Sequence, residues 1–215
     1  MPCNCRQGTA LHSHVDDQLA SEGVFGIGAP INDAVDLAAL QVWNCRNTAE
    51  EAGRLFDVNQ AAHQDPIRSD DDEELLIVAP LRSVCRIKGI SVAAPANDNA
   101  PARVKVFVNL LNVTGFGSVQ RLVPQEQLQL ADGSVEDRII YRVNPAKFSA
   151  VSSLTFLFDE SFSRDETEVL RIELFGENTG KSTRQQVATN IVYEARGNPA
   201  DHQHAEEKKA LFEVR

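Results

Sequence analysis

Residues 70–74 place five carboxylates side by side (Asp70-Asp71-Asp72-Glu73-Glu74), and the chain then passes directly into Leu75-Leu76-Ile77-Val78. Carboxylates this dense could ligate calcium, work as an acid and base pair, or steer a basic partner. A calcium loop of the EF type needs a glycine at its sixth position, and Leu75 stands there instead. A glycosidase pair needs a cleft and a set separation, which this run does not supply by itself. Most charge runs are solvated loops. Acids that abut a buried strand, however, are held in place and form a defined electrostatic patch. Asp70, Asp71, Asp72, Glu73 and Glu74 are therefore the candidates for contact with a basic protein partner.

Other chemistry-bearing groups are weaker. Cys3, Cys5, His12 and His14 offer thiolates and imidazoles, the ligands zinc and copper favour. Each pair has one intervening residue, where structural zinc sites use two or more. These four are weak metal candidates, as are His202 and His204, and the expectation is a chain without metal or cofactor. Gly176-Glu177-Asn178-Thr179-Gly180-Lys181-Ser182 imitates a phosphate-binding loop but has three residues between its glycines where four are required. A hairpin turn is expected there. Gly23 to Gly28 lacks the glycine order of a dinucleotide site and reads as a junction. No Gly-x-Ser-x-Gly elbow exists, and Cys45 and Cys85 have no readable base. Cys85 reads as a small core residue. No catalytic constellation emerges, and the expectation is a protein that is not an enzyme.

The elements that would position the acidic run are strands. Leu75 to Val78 is a short apolar run, and Val84 to Val92 forms a second, with a bulge expected near Gly89. Val104, Val106 and Val108 alternate, as do Ile139, Tyr141 and Val143, then Leu154, Phe156 and Phe158, then Leu170, Ile172 and Leu174. Val187 to Tyr193 is the last strand candidate. The loop Ala93 to Pro101 has strong turn chemistry. Residues 32–43 suit a short helix or turn packed on the core, with Trp43, the single tryptophan, as an anchor. Residues 44–68 read as a long loop, and Ala205 to Phe212 as a short exposed helix. Several short strands without a βαβ rhythm predict an all-β antiparallel sandwich of jelly-roll type.

The chain has 215 residues, enough for one domain with tails. Its formal net charge is −10, which argues against nucleic acid and anionic membranes, both negative themselves. No apolar run reaches the roughly 18 residues of a membrane span, and no secretory signal is visible. Asn112-Val113-Thr114 matches a glycosylation acceptor, but without secretion the match carries no weight. Four unevenly spaced cysteines do not make a disulfide framework. A reducing compartment, the cytoplasm or nucleus, is expected, with the protein a monomer.

Several segments together resemble the PITH domain. They are Ser69 to Leu76, Arg86-Ile87-Lys88-Gly89-Ile90, Val104 to Asn109, and Leu170 to Gly176. The ending Tyr193 to His202, the Cys- and His-bearing start and Asp36 to Gln41 are similar to stand-alone members of that family. The resemblance implies a galactose-binding-like jelly roll over residues 24–196, flanked by a mobile tail over 1–23 and another over 197–215. It also implies a non-catalytic interaction module associated with proteasome subunits. The family occurs beside a thioredoxin domain, but no Cys-x-x-Cys pair stands here, so redox activity is not carried over. A jelly roll could alternatively bind a carbohydrate-like ligand in its end loops, with Phe116, Phe148 and Phe162 as candidate platforms.

Overall fold

Runs of branched and aromatic residues broken by Pro, Gly and Asn become antiparallel strands in the computed structural model, which describes residues 26–57, 65–131 and 139–183. The described strands are β1 (Ala29–Pro30), β2 (Gln41–Trp43), β3 (Ile67–Arg68), β4 (Leu75–Ala93), β5 (Pro101–Val108), β6 (Glu126–Gln129), β7 (Tyr141–Arg142), β8 (Val151–Ser161), β9 (Glu168–Val169) and β10 (Arg171–Ser182). One sheet runs β1-β10-β4-β8-β5-β6, with β2 and β7 also pairing on β4, and β3 pairs separately with β9. The chain divides into a unit Met1–Arg184 and a unit Gln185–Arg215, and every described residue lies in the first.

Strand β4 organises the sheet. Its first half, Leu75 to Pro80, pairs with β8, and Leu76 to Val78 also pairs with β2. Its second half, Cys85 to Ala93, pairs with β10, and Gly89 and Ile90 also meet β7. The two runs expected as separate strands are therefore one strand of 19 residues. Pro80 lies at the changeover, where the register on β8 shifts between Pro80 and Cys85. A missing N–H is tolerated best where the ladder is already broken. The bulge near Gly89 is present: Phe175 faces Gly89 and Gly176 faces Ile87, which leaves Lys88 as the extra residue.

Because one strand serves both halves of the curled sheet, the inward side chains meet in one core. Leu75, Ile77, Val104, Val106, Leu154, Phe156, Phe158, Ile172 and Leu174 fill it, all fully buried. The opposite face of β4, β5 and β8 is not left to water either. Leu76, Phe107 and Leu157 are buried there with Val119, beneath Trp43, Leu110, Val113 and Phe116. Burial on both faces explains why Leu75 to Val78 reads as a continuous apolar run instead of an alternation.

Several expectations need correction. Residues 44–68 are not one long loop: they hold the helix α1 (Ala49–Ala52), a 3-10 turn at Gly53–Phe56, and β3. Thr48 and Glu51 close a capping box on α1, and Ala52, Leu55 and Phe56 are buried. Elements of four residues are too short to show a period, so only the cap was readable in principle. Residues 32–43 form two 3-10 turns, Asn32–Ala34 and Leu37–Ala39, followed by β2. Gly176 to Ser182 is no hairpin turn but the continuation of β10 along β4, with an irregularity between Asn178 and Ser182. The Ile139 to Val143 alternation yields only the two residues of β7. Val187 to Tyr193, Ala205 to Phe212, both tails and the weak metal candidates Cys3, Cys5, His12, His14, His202 and His204 lie outside the described residues.

Candidate interaction surface

The acidic run sits at the end of the sheet where β4 begins. It is less a solvated string than a turn wound around Asn44. The Asn44 carbonyl accepts from the Asp70 amide (3.2 Å), and its side-chain oxygen accepts from the Asp71 amide (3.0 Å). The side-chain nitrogen of Asn44 donates to Asp72 Oδ1 (2.7 Å) and to the Glu74 carbonyl (2.6 Å). Asn44 itself has φ +52°, a left-handed conformation that asparagine tolerates better than most residues.

The five acids therefore divide. Asp72 is exposed, but its Oδ1 also accepts from the Glu74 amide (2.9 Å). Glu73 is half-buried, and its Oε2 accepts from the Ser161 amide (2.9 Å), tying the turn to the end of β8. Glu74 accepts from Gln120 Nε2 (3.3 Å). Burial, then the Asp72 and Asp159 carboxylates, push the Glu74 carboxyl above its ordinary value. Asp70 is exposed and pairs with Arg46 (3.6 Å). The exposed Asp71 carboxylate has no partner among the described residues.

Around this turn lies a polar rim. Arg46 also reaches Glu166 (3.2 Å) on the loop after β8. Glu168 is almost fully buried and is held by Asn97 (2.9 Å), Asn99 (3.4 Å) and Arg68 (3.4 Å). Ser69 is fully buried; its hydroxyl accepts from the Thr167 amide (2.9 Å) and its amide donates to the Thr167 carbonyl (3.0 Å). Both flanks of the run are thus clamped. Asn44, Arg46, Asn97 and Glu168 escape a reading of sequence because they lie far from the run, and no local spacing links them to it.

The other candidates separate as well. Phe148 is fully buried and cannot serve as a ligand platform; its ring belongs to the core. Phe116 is half-buried over the second core, while Phe162 is 43% exposed. Cys85 is buried in the core as expected. Cys45 is half-buried, and burial raises its thiol pKa above the ordinary value. Among the described residues no group of three or more side chains could hold a metal ion. Nor does any helix among them have the length and apolarity to cross a membrane.

The curled antiparallel sheet defines the class, a galactose-binding-like jelly roll. It matches the CBM32-1 and CBM32-2 domains of ZmpB from Clostridium perfringens with a TM-score of 0.53, over 75% of this chain and 40% of that one, at 10% identity. The C-terminal domain of a chitobiase from Bacteroides fragilis gives 0.50, over 69% of this chain and 98% of that one, at 12% identity. Sequence narrows the class further. The PITH domain model matches residues 23–197, and the chain belongs to the PITH domain family. It is 35% identical to PITH domain-containing protein GA19395 of Drosophila pseudoobscura pseudoobscura, covering 91% of this chain and 90% of that protein. It is 32% identical to PITH domain-containing protein 1 of Xenopus laevis, covering 78% of each. Thioredoxin-like protein 1 of Schizosaccharomyces pombe is 27% identical over 60% of this chain and 47% of that protein.

Proposed function

We propose that this protein is a non-catalytic interaction module, a proteasome-associated adaptor of the cytoplasm or nucleus that docks through the acidic turn. The observation that carries the reading is the division of the run. The side chains of Asp72 and Glu73 bond to the protein, while the exposed Asp70 and Asp71 project from backbone amides that Asn44 holds. Pre-organised surface charge steers a complementary partner and suppresses like-charged ones, and it costs little to order on binding. The net charge of −10 favours a basic protein surface over nucleic acid. The link to the proteasome comes from the family.

The test is direct binding to purified 26S proteasome across a salt series. Asp70→Asn with Asp71→Asn should weaken binding roughly threefold to tenfold, mainly in the association rate, and flatten its salt dependence. Asp72 is left unchanged, because its side chain is engaged in the turn by Asn44 and the Glu74 amide. If the wild-type chain fails to bind at low salt, the proteasome reading falls. If the double variant binds like wild type, the acidic turn is not the docking surface.

A further inference from the structure

We infer that residues 110–124, which connect β5 to β6, form a hinged strap that opens as a unit from the folded protein and uncovers the apolar floor of the second core. The inference does not rest on the docking role proposed above. Both ends of the strap are clamped. At one end the Asn109 side-chain oxygen accepts from the Ser152 amide (2.7 Å) and the Ser153 amide (3.2 Å), and its nitrogen donates to the Ala150 carbonyl (2.8 Å). At the other, Gln125 Oε1 accepts from the Val108 amide (2.9 Å) and the Gln125 carbonyl accepts from Lys147 Nζ (2.8 Å). The Gln125 amide donates to the Val106 carbonyl (3.0 Å).

Between the clamps the strap is bonded mainly to itself. The Val119 and Gln120 amides both donate to the Phe116 carbonyl, the Leu122 amide to the Val119 carbonyl, and the Thr114 amide to Ser118 Oγ. Among the described residues one hydrogen bond ties 110–124 to the rest of the chain, from Gln120 Nε2 to Glu74 Oε2 (3.3 Å), and it is exposed to solvent. Closure therefore depends on apolar packing over Leu76, Phe107 and Leu157. Val119 is fully buried there, whereas Leu110, Val113 and Phe116 are half-buried. Leu111 and Val123 are each 86% exposed and contribute little to closure. The floor also carries a cost. Thr155 lies two residues before Leu157 on the same face of β8, and its hydroxyl is buried without a hydrogen-bond partner. That hydroxyl gives up its hydration when the strap closes and regains it when the strap lifts. The sheet beneath keeps its own ladders, with β8 paired to β4 on one side and β5 on the other. Lifting the cover thus breaks far fewer contacts than opening the sheet, and the two events have different free energies. The open form is a minor species, so the sheet and Trp43 still unfold together.

Native-state amide exchange on the full chain, followed residue by residue through sub-denaturing urea, tests the strap. The 3-10 turn Phe116–Ser118 has three residues and does not keep its bonds once unpacked, so opening frees the Val119, Gln120 and Leu122 amides together. Their protection should agree within about threefold, lie at least about tenfold below that of Ile77 and Leu157 in the sheet, and fall along one shared, shallow urea slope. Val119→Ala should speed all three about thirtyfold. It should also raise the fluorescence of anilinonaphthalene sulfonate, an apolar dye, with the far-ultraviolet circular dichroism of the sheet unchanged. Strap amides that follow the urea slope of Ile77 and Leu157 would make the strap part of the sheet's own cooperative unit and overturn the proposal. Unrelated protection at the three amides would overturn it as well, since each would then fray alone. Both of those outcomes are read on the wild-type chain and stand even where Val119→Ala does not fold. Faster exchange in Val119→Ala without added dye fluorescence would show that the floor stays covered, and the uncovering would fall.

Discussion

Charge in this protein is used in two ways, and the difference lies in burial. Asp159 on β8 has a side chain only 8% exposed, and it receives Arg103 Nε (2.8 Å), Arg103 Nη2 (3.0 Å) and Lys105 Nζ (2.6 Å). Burial opposes its charge, but the bonds from Arg103 and Lys105 outweigh that and hold its pKa below the ordinary value. A folded-state pKa below the unfolded one means that the stabilisation is fully present above the ordinary aspartate range and is lost as pH falls through the folded value. Asp159→Asn should therefore cost about 2 kcal/mol at neutral pH. Urea unfolding of both proteins should show that gap closing in acid; a gap independent of pH would contradict the assignment. Asp70 and Asp71, in contrast, lie in water and contribute little to the fold. Nothing in the local sequence separates these roles. Asp159 lies in a strand and Asp71 just ahead of one, and the partners brought in from β5 and from the end of β2 distinguish them.

At the scale of elements, the crossing of β4 and β10 is the tightest constraint. Gly176 has φ +158°, and a Cβ added there would run into the Arg86 carbonyl oxygen. On the other side, a Cβ on Gly28 would lie 2.6 Å from the Gly176 carbonyl oxygen, so the approach to β1 packs backbone against backbone. Gly176→Ala should destabilise by about 3 kcal/mol, seen as a lower urea midpoint, because the paired backbones of β4 and β10 must move apart. A variant as stable as wild type would mean that the crossing relaxes freely. The glycine was visible in sequence as part of an apparent phosphate loop, but its use was not. Glycine spacing alone does not tell a turn that cradles an anion from a bulge that lets two strands meet. The bulge at Lys88 was legible, because Gly89 interrupts an alternation, and an interrupted alternation is itself a pattern.

For the whole molecule, the two cores share strands, and that predicts cooperativity. Leu76 and Leu157 face the second core while their neighbours Leu75, Phe156 and Phe158 face the first. Trp43, the single tryptophan, packs on the second core, whereas far-ultraviolet circular dichroism reports the entire sheet. Their unfolding curves should coincide; fluorescence that melts first would show the second core to be an independent layer. The sequence by itself determined the all-β character, most strand positions, the acidic run and the PITH family. These are written in alternation and in local composition, which neighbouring residues carry between them. Tertiary structure alone decided that β4 is one strand spanning both halves, and that both faces of β5 and β8 are buried. It also decided that Asn44 hydrogen-bonds to Asp71, Asp72 and Glu74 and so winds the acidic run into a turn. Such outcomes depend on contacts between residues about thirty positions apart or more, and a chain of one-dimensional neighbours does not record which distant group supplies the missing hydrogen bond.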